Sequence, residues 1–245
     1  MNLPVVSTFD LVTAGIAAAV YVIVAAAALA RQPRDIRTQL FFVVAVTSAV
    51  AYGMPFAQAM LGDAGMLSKR VLGPMLIDMG IASIALFHFT QVFPWRRPWI
   101  ARFGEWVAAA YLVAPMITAW LVWFAPSSVD DLGVVYIIAV IALGVPLFLL
   151  LGAVLPLAGL LSLYKSYQTA ARERRETVRR PLLGILISQI AGGILSVFVA
   201  PIVHMLAPTG PWPAIVAGAL FAFNLMMPAA FALWVWRSEE QVVGA

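Results

Sequence analysis

Cysteine is absent from the chain, which excludes disulfides and thiolate sites for metals or redox chemistry. Charge is scarce as well: 11% of the 245 residues are Asp, Glu, Lys or Arg, while 63% are hydrophobic and the mean hydropathy is +0.98. A chain this apolar cannot hide its surface in one water-soluble core and needs lipid as solvent. Lysine is limited to Lys69 and Lys165, one between apolar runs and one at the end of a run, so none is placed inside a helix for a retinal Schiff base. Histidine is limited to His88 and His204, which fall near opposite membrane faces, so a haem bridged by both is not expected. A zinc or di-iron centre needs three or more His or carboxylate ligands, and besides Glu105 at the entrance of one run the apolar runs offer only Asp78, His88 and His204. With no serine-nucleophile motif, phosphate-cradling glycine loop or carboxylate pair either, neither an enzyme nor a metal site is expected. The opening residues MNLPVVSTFD lack the basic segment of a secretory signal, so the first apolar run is expected to be retained.

What is present is apolar length. A bilayer core takes roughly 20 residues of helix, and charges and Pro/Gly clusters divide the chain into seven such runs, at 11–30, 38–61, 72–93, 104–124, 133–164, 181–206 and 213–236. The expected fold is therefore all-α, a single polytopic bundle of seven transmembrane helices in a bacterial cytoplasmic membrane. The fifth run, about 48 Å long at 1.5 Å per residue, exceeds the hydrocarbon thickness and contains Pro146 and Pro156, so it either kinks or continues beyond the membrane.

Thirteen of the fifteen Lys and Arg residues fall in alternate loops and the tail, and only Lys69 and Arg70 fall on the other side. The positive-inside rule then places the N-terminus outside and the C-terminus in the cytoplasm. The net charge of +4 is a topology signal on this reading and not evidence for nucleic acid. One inner loop, YKSYQTAARERRETVRR, concentrates Lys165, Arg172, Arg174, Arg175, Arg179 and Arg180. Attraction to anionic headgroups explains such a patch; a docking surface for a soluble partner is the alternative. Its helix-favouring composition predicts an extension of the fifth helix.

Polar residues inside the runs are the candidate site. Asp78 is costly to keep charged in lipid and is expected to face the bundle interior or a cavity. Gln189 and Asn224 are either interhelical hydrogen-bonding groups or, with Asp78, parts of one ligand-binding cluster. His88, in LFHFTQVFPWRRPW, has three readings: a packed hydrogen-bonded residue, a single axial ligand to a chlorophyll-type pigment or haem, or a proton-responsive group. The rest of that stretch reads as a membrane exit, with Pro94 ending the helix and Trp95, Trp99, Arg96 and Arg97 at headgroup level. Gly184, Ser188, Gly192 and Ser196 recur every four residues, a small-residue stripe that lets another helix approach closely.

The pair His88-Phe89 followed by Phe93-Pro94, and the basic loop carrying Tyr167, Glu173, Arg174 and Arg180 ahead of a glycine-containing helix, resemble the N-terminal seven-transmembrane sensor region of bacterial histidine kinases and diguanylate cyclases. In those proteins the seventh helix leads into an output domain. Here residues 237–245 follow it, so the resemblance implies a sensor-like, non-catalytic module whose output comes from a separate signalling protein. The competing expectation is an accessory subunit of a larger photosynthetic or respiratory membrane complex, contacting other membrane subunits and binding lipid or pigment. A small-solute carrier ranks third, since no internal repeat is visible. No cofactor is expected beyond bound membrane lipid.

Overall fold

The computed structural model describes residues 8–54, 56–57, 59–61, 69–102, 104–125, 133–173, 175–207 and 210–243. Among them the regular structure is entirely helical. Helix α1 spans Thr8–Arg31, α2 Ile36–Tyr52, α3 Lys69–Val92, the short α4 Pro98–Arg102, and α5 Gly104–Trp123. Helix α6 runs over Val134–Arg172. Helix α7 covers Glu176–Ile194 and continues through Leu195–Val199 into Ala200–Leu206, and α8 covers Trp212–Val243.

Five helices are long and apolar enough to cross a membrane: α1, α3, α5, α6 and α8. The expected runs at 38–61 and 181–206 are not among these five, although their described residues are helical apart from a turn at Gly53. Helix α2 stops at Tyr52, where Gly53 caps it through its N–H to Ala49 and Val50. Helix α7 opens with the charged residues Glu176, Arg179 and Arg180, and its regular α geometry ends at Ile194.

The fifth run is helical from Val134, widens in the middle and extends to Arg172. Its ladder opens into π-type turns at Val140–Gly144 and Leu150–Val154, each ending two residues before a proline, Pro146 and Pro156. The π-type turn Leu195–Val199 stands in the same relation to Pro201. A helical proline donates no N–H and its ring presses on the preceding carbonyls. A one-residue widening of the ladder relieves both.

Helices α1, α2, α3, α6, α7 and α8 contact one another in that cyclic order, forming a closed six-helix ring. Helix α5 packs outside it against α3 and the Val140–Gly144 turn of α6. A short connection at residues 32–35 sets α1 and α2 antiparallel, and Thr38 fixes it by donating its hydroxyl to the carbonyls of Gln32 and Asp35. Ala17, Ala25 and Ala28 are almost fully buried on α1, and their small size admits its neighbours closely.

A buried aromatic cluster lies toward the end of the ring that carries the arginine-rich turns. Phe41, Phe89, Phe93 and Phe231 are fully buried there. Phe41 stacks on Phe231 at 3.9 Å between centroids, Phe89 on Phe93 at 5.0 Å, and Trp234 meets Phe93 edge-on at 5.1 Å. Lipid is as apolar as these rings, so their cohesion comes from close contact and ring geometry, about 0.5–1.5 kcal/mol per aromatic pair.

Candidate functional site

The stretch LFHFTQVFPWRRPW divides among three environments. Phe89 and Phe93 belong to the aromatic core. His88 turns toward α5, where its Nδ1 lies 3.5 Å from the Tyr111 hydroxyl and the rings are tilted at 6.1 Å. The polar residues between and after them tie α3 to α6. Ser162 donates to the Thr90 carbonyl at 3.2 Å and to Gln91 Oε1 at 3.3 Å, and Gln91 Nε2 donates to Thr90 Oγ1 at 3.1 Å. Arg97 completes the tie by donating to the Ser162 carbonyl at 3.0 Å and the Ser166 hydroxyl at 3.1 Å. All four of Thr90, Gln91, Ser162 and Ser166 are buried, where an unpaired polar group would be expensive.

A second clamp closes the same end of the ring between α2, α3 and α8. Asp35 caps α2 by accepting the Arg37 backbone N–H at 2.9 Å, and its carboxylate takes a bidentate pair from the Arg37 guanidinium, at 2.9 Å from Nε and 2.6 Å from Nη2. Arg37 Nη1 donates to the Pro94 carbonyl at 2.9 Å, beside the cis Phe93–Pro94 bond, and its guanidinium lies 4.5 Å from the Trp234 ring. Burial pushes the Asp35 carboxyl up, but the hydrogen bonds and charge of Arg37 outweigh it and hold the group below its ordinary value. Further cations lie on rings nearby: Arg31 is 5.1 Å from Trp236 and Arg175 is 5.6 Å from Trp95. These contacts combine charge with an amphipathic aromatic surface.

The basic loop is helical on both sides of a tight turn, for α6 ends at Arg172 and α7 begins at Glu176. Arg175 pairs with Glu173 at 2.8 Å, Arg179 with Glu176 at 2.8 Å, and Arg180 with the same Glu176 at 3.7 Å. Arg179 also donates to the Tyr167 hydroxyl at 3.4 Å. Lys165 and Arg172 are exposed, and Arg174 lies outside the described residues.

Asp78, Gln189 and Asn224 occupy two different places. Gln189 and Asn224 lie on the α7–α8 seam: Gln189 Nε2 donates to the Met227 sulfur at 3.2 Å, and the Asn224 carbonyl accepts the Tyr21 hydroxyl at 3.1 Å. Asp78 is half-buried on α3, seven residues before buried Ala85. No hydrogen bond or ion pair joins it to Gln189 or Asn224. A cavity of about 240 Å³ separates α1, α2 and α8 toward the far end of the ring, lined among others by Thr13, Tyr52, Phe221 and Asn224. Among the described residues no three His, Asp or Glu side chains converge.

The small-residue stripe divides. A Cβ on Gly184 would stand 2.9 Å from that of Ala230 on α8, Ser188 is buried, and the corresponding point on Gly192 lies 3.7 Å from Asn224 Oδ1. Ser196 is exposed, with its hydroxyl turned back to the Gly193 carbonyl. Two apolar grooves flank this helix. The larger, about 530 Å³, lies between α3, α6 and α7, and includes Thr90 and Gln189. The smaller, about 350 Å³, lies between α6 and α7 near the arginine-rich turn.

Sequence reasoning did not single out the Asp35–Arg37–Pro94 clamp or the Thr90–Gln91–Ser162–Ser166–Arg97 tie. The one local signal was Asp35 itself, an N-cap residue before an apolar run.

Compared with protein-family models, curated proteins and solved structures, the chain matches none. What its own geometry establishes is a class: among the described residues the regular structure is helical, with five helices long and apolar enough to cross a membrane.

Proposed function

We propose that this chain is a seven-helix protein of the bacterial cytoplasmic membrane, N-terminus outside and C-terminus inside, serving as a non-catalytic, receptor-like module that signals through a partner protein. One observation carries the reading: the ring is built differently at its two ends. The arginine-rich end is clamped by Arg37, Arg97 and the aromatic core. The other end holds a cavity into which Tyr52 and Asn224 face. Asymmetry of this kind suits a molecule that accommodates a small ligand near one membrane face and presents a fixed, charged surface at the other. The 13-to-2 distribution of Lys and Arg supports the inward placement of the clamped end. Helix α2 and the broken α7 complete the seven crossings.

Topology and partnership are tested separately. A reporter fused after Ala245 should read cytoplasmic and one inserted at residues 126–133 external; a periplasmic C-terminal signal would refute the seven-span arrangement. Extraction in mild detergent with native mass measurement should recover a soluble signalling protein, released by charge reversal at Arg172 and Lys165. Stoichiometric recovery inside an electron-transfer or pigment complex would replace the receptor reading with that of an accessory subunit. That second reading is favoured by the first half of α6, where Val135 is 80% and Phe148 70% exposed, an apolar surface as open to a neighbouring subunit as to lipid.

A further inference from the structure

We infer that the seam between α6 and α7 at the arginine-rich end is a binding site for one anionic phospholipid, with an acyl chain in the groove and its phosphate on Arg179 and Arg180. The groove of about 350 Å³ is lined by Tyr164, Tyr167, Leu183, Ile187 and Ile190, with Leu186 and Ala191 at its floor. Leu183, Ile187 and Ile190 are 41%, 37% and 47% exposed. They face away from the ring, in a helix whose other side packs on α8. Leu183 to Ile190 spans about 10 Å of helix, so the recess is elongated along the membrane normal. An empty recess there forfeits dispersion contacts on both walls. A flexible hydrocarbon chain is the filler that a bilayer supplies.

The mouth of the groove specifies the headgroup. Arg180 stands one turn before Leu183 on the same face of α7, with its side chain 70% exposed. Arg179 beside it is held by the Tyr167 hydroxyl at 3.4 Å and lies 5.6 Å from that ring, so its position is set before any ligand arrives. Both arginines share one carboxylate, Glu176, at 2.8 and 3.7 Å. Two guanidinium groups against one carboxylate leave a net positive charge where the acyl groove opens. Lys165, adjacent to groove residue Tyr164, adds a second, with no carboxylate within ion-pairing distance among the described residues. A guanidinium pair matches the planar oxygens of a phosphate diester. The uncompensated charge favours a lipid with net negative charge over a zwitterionic one. The inference needs only that these helices lie in a bilayer and is independent of the receptor reading.

The experiment uses delipidated full-length chain in neutral detergent, offered phosphatidylglycerol or phosphatidylcholine of identical acyl chains and observed by native mass spectrometry, with thermal melting in parallel. One phosphatidylglycerol per chain should persist after annular lipid is stripped, with a raised melting temperature, and phosphatidylcholine should not. Arg179→Gln and Arg180→Gln should each weaken retention about fivefold, the effect of one basic residue near an anionic headgroup. Ile187→Trp, which fills the groove without touching the charges, should abolish retention while leaving the lipid-free melting temperature near that of the unmodified chain. Equal retention of the two lipids, or retention indifferent to the arginine variants, would overturn the headgroup assignment. Protection by glycerol phosphate equal to that by phosphatidylglycerol would overturn the acyl groove.

Discussion

Adding a single methyl group at Gly184 tests the tightest glycine contact among the described residues. The ideal Cβ there lies 2.9 Å from the Ala230 Cβ, whereas carbon atoms at optimal separation lie about 3.5–4.0 Å apart. Helices α7 and α8 must therefore part by roughly 0.6–1 Å, disturbing neighbours that include fully buried Leu182, Ile185 and Phe231. Overpacking of this kind costs about 1–3 kcal/mol. Replacing glycine by alanine inside a helix also returns about 0.5–1 kcal/mol of backbone entropy and propensity. Gly193 on the same helix supplies the reference, because nothing lies within 4 Å of its ideal Cβ. Gly193→Ala should be neutral or stabilising. Subtracting it from Gly184→Ala cancels the propensity gain and leaves the overpacking cost, about 1–3 kcal/mol. Unfolding of the detergent-solubilised chain, followed by loss of helical signal in increasing SDS, measures that difference. Equal or greater stability for Gly184→Ala than for Gly193→Ala would refute the close approach and the role given to Gly184.

The Asp35 carboxyl is held below its ordinary value, so it contributes stability that is fully present above the unfolded carboxylate range, near pH 4, and is lost as pH falls toward the lowered folded value. Melting temperature should therefore drop below about pH 4, and Asp35→Asn should flatten that drop while lowering the plateau above it; an unchanged acid limb would refute the clamp. Arg37→Ala removes the bond to the Pro94 carbonyl together with the Asp35 pair and should destabilise by about 1.5–3 kcal/mol, whereas Arg34→Ala, measured alongside, should be nearly silent. Tyr21→Phe deletes the donor to the Asn224 carbonyl and should cost about 0.5–1.5 kcal/mol. His88→Ala should leave visible absorption of protein from native membranes unchanged; a band lost with the imidazole would establish a tetrapyrrole ligand.

The runs at 11–30, 72–93, 104–124, 133–164 and 213–236 were legible as long apolar helices because hydropathy at bilayer length is a one-dimensional property. The runs at 38–61 and 181–206 were harder because apolarity persists past the point where the helix changes. Gly53 interrupts α2 without any charge to mark it, and Pro201 follows a widened turn in a sequence that stays hydrophobic. The contacts of the arginine-rich end escaped for a different reason. Arg37 meets a carbonyl 57 residues away, and Ser162 meets Gln91 across 71 residues. No local pattern encodes such pairings. The polar residues sought in mid-membrane were conspicuous for their cost in lipid, yet Gln189 and Asn224 sit on one seam and Asp78 on another helix. A list of polar positions carries no information about which faces meet.

The widened turns before Pro146, Pro156 and Pro201 also change what a helix surface means in this chain. Each α-helical residue advances the side-chain direction by about 100°, and a π-type turn inserts one extra residue into the count. The segment before Val140 and the segment after Val154 are therefore out of phase, and no single stripe runs the length of α6. The half beyond Leu155 is keyed to the ring through Ser162, Leu163 and Ser166. The half before Val140 is keyed instead to α5, where the Tyr136 hydroxyl donates to the Leu121 carbonyl at 2.8 Å. Loss or gain of one residue within either turn would rotate the first half by about 100°, re-aiming its Val and Ile surface and breaking the Tyr136 bond to α5 without moving a contact at the clamped end. One rod thus carries two faces, one held within the ring and one beside α5 whose bearing is set by one residue of register.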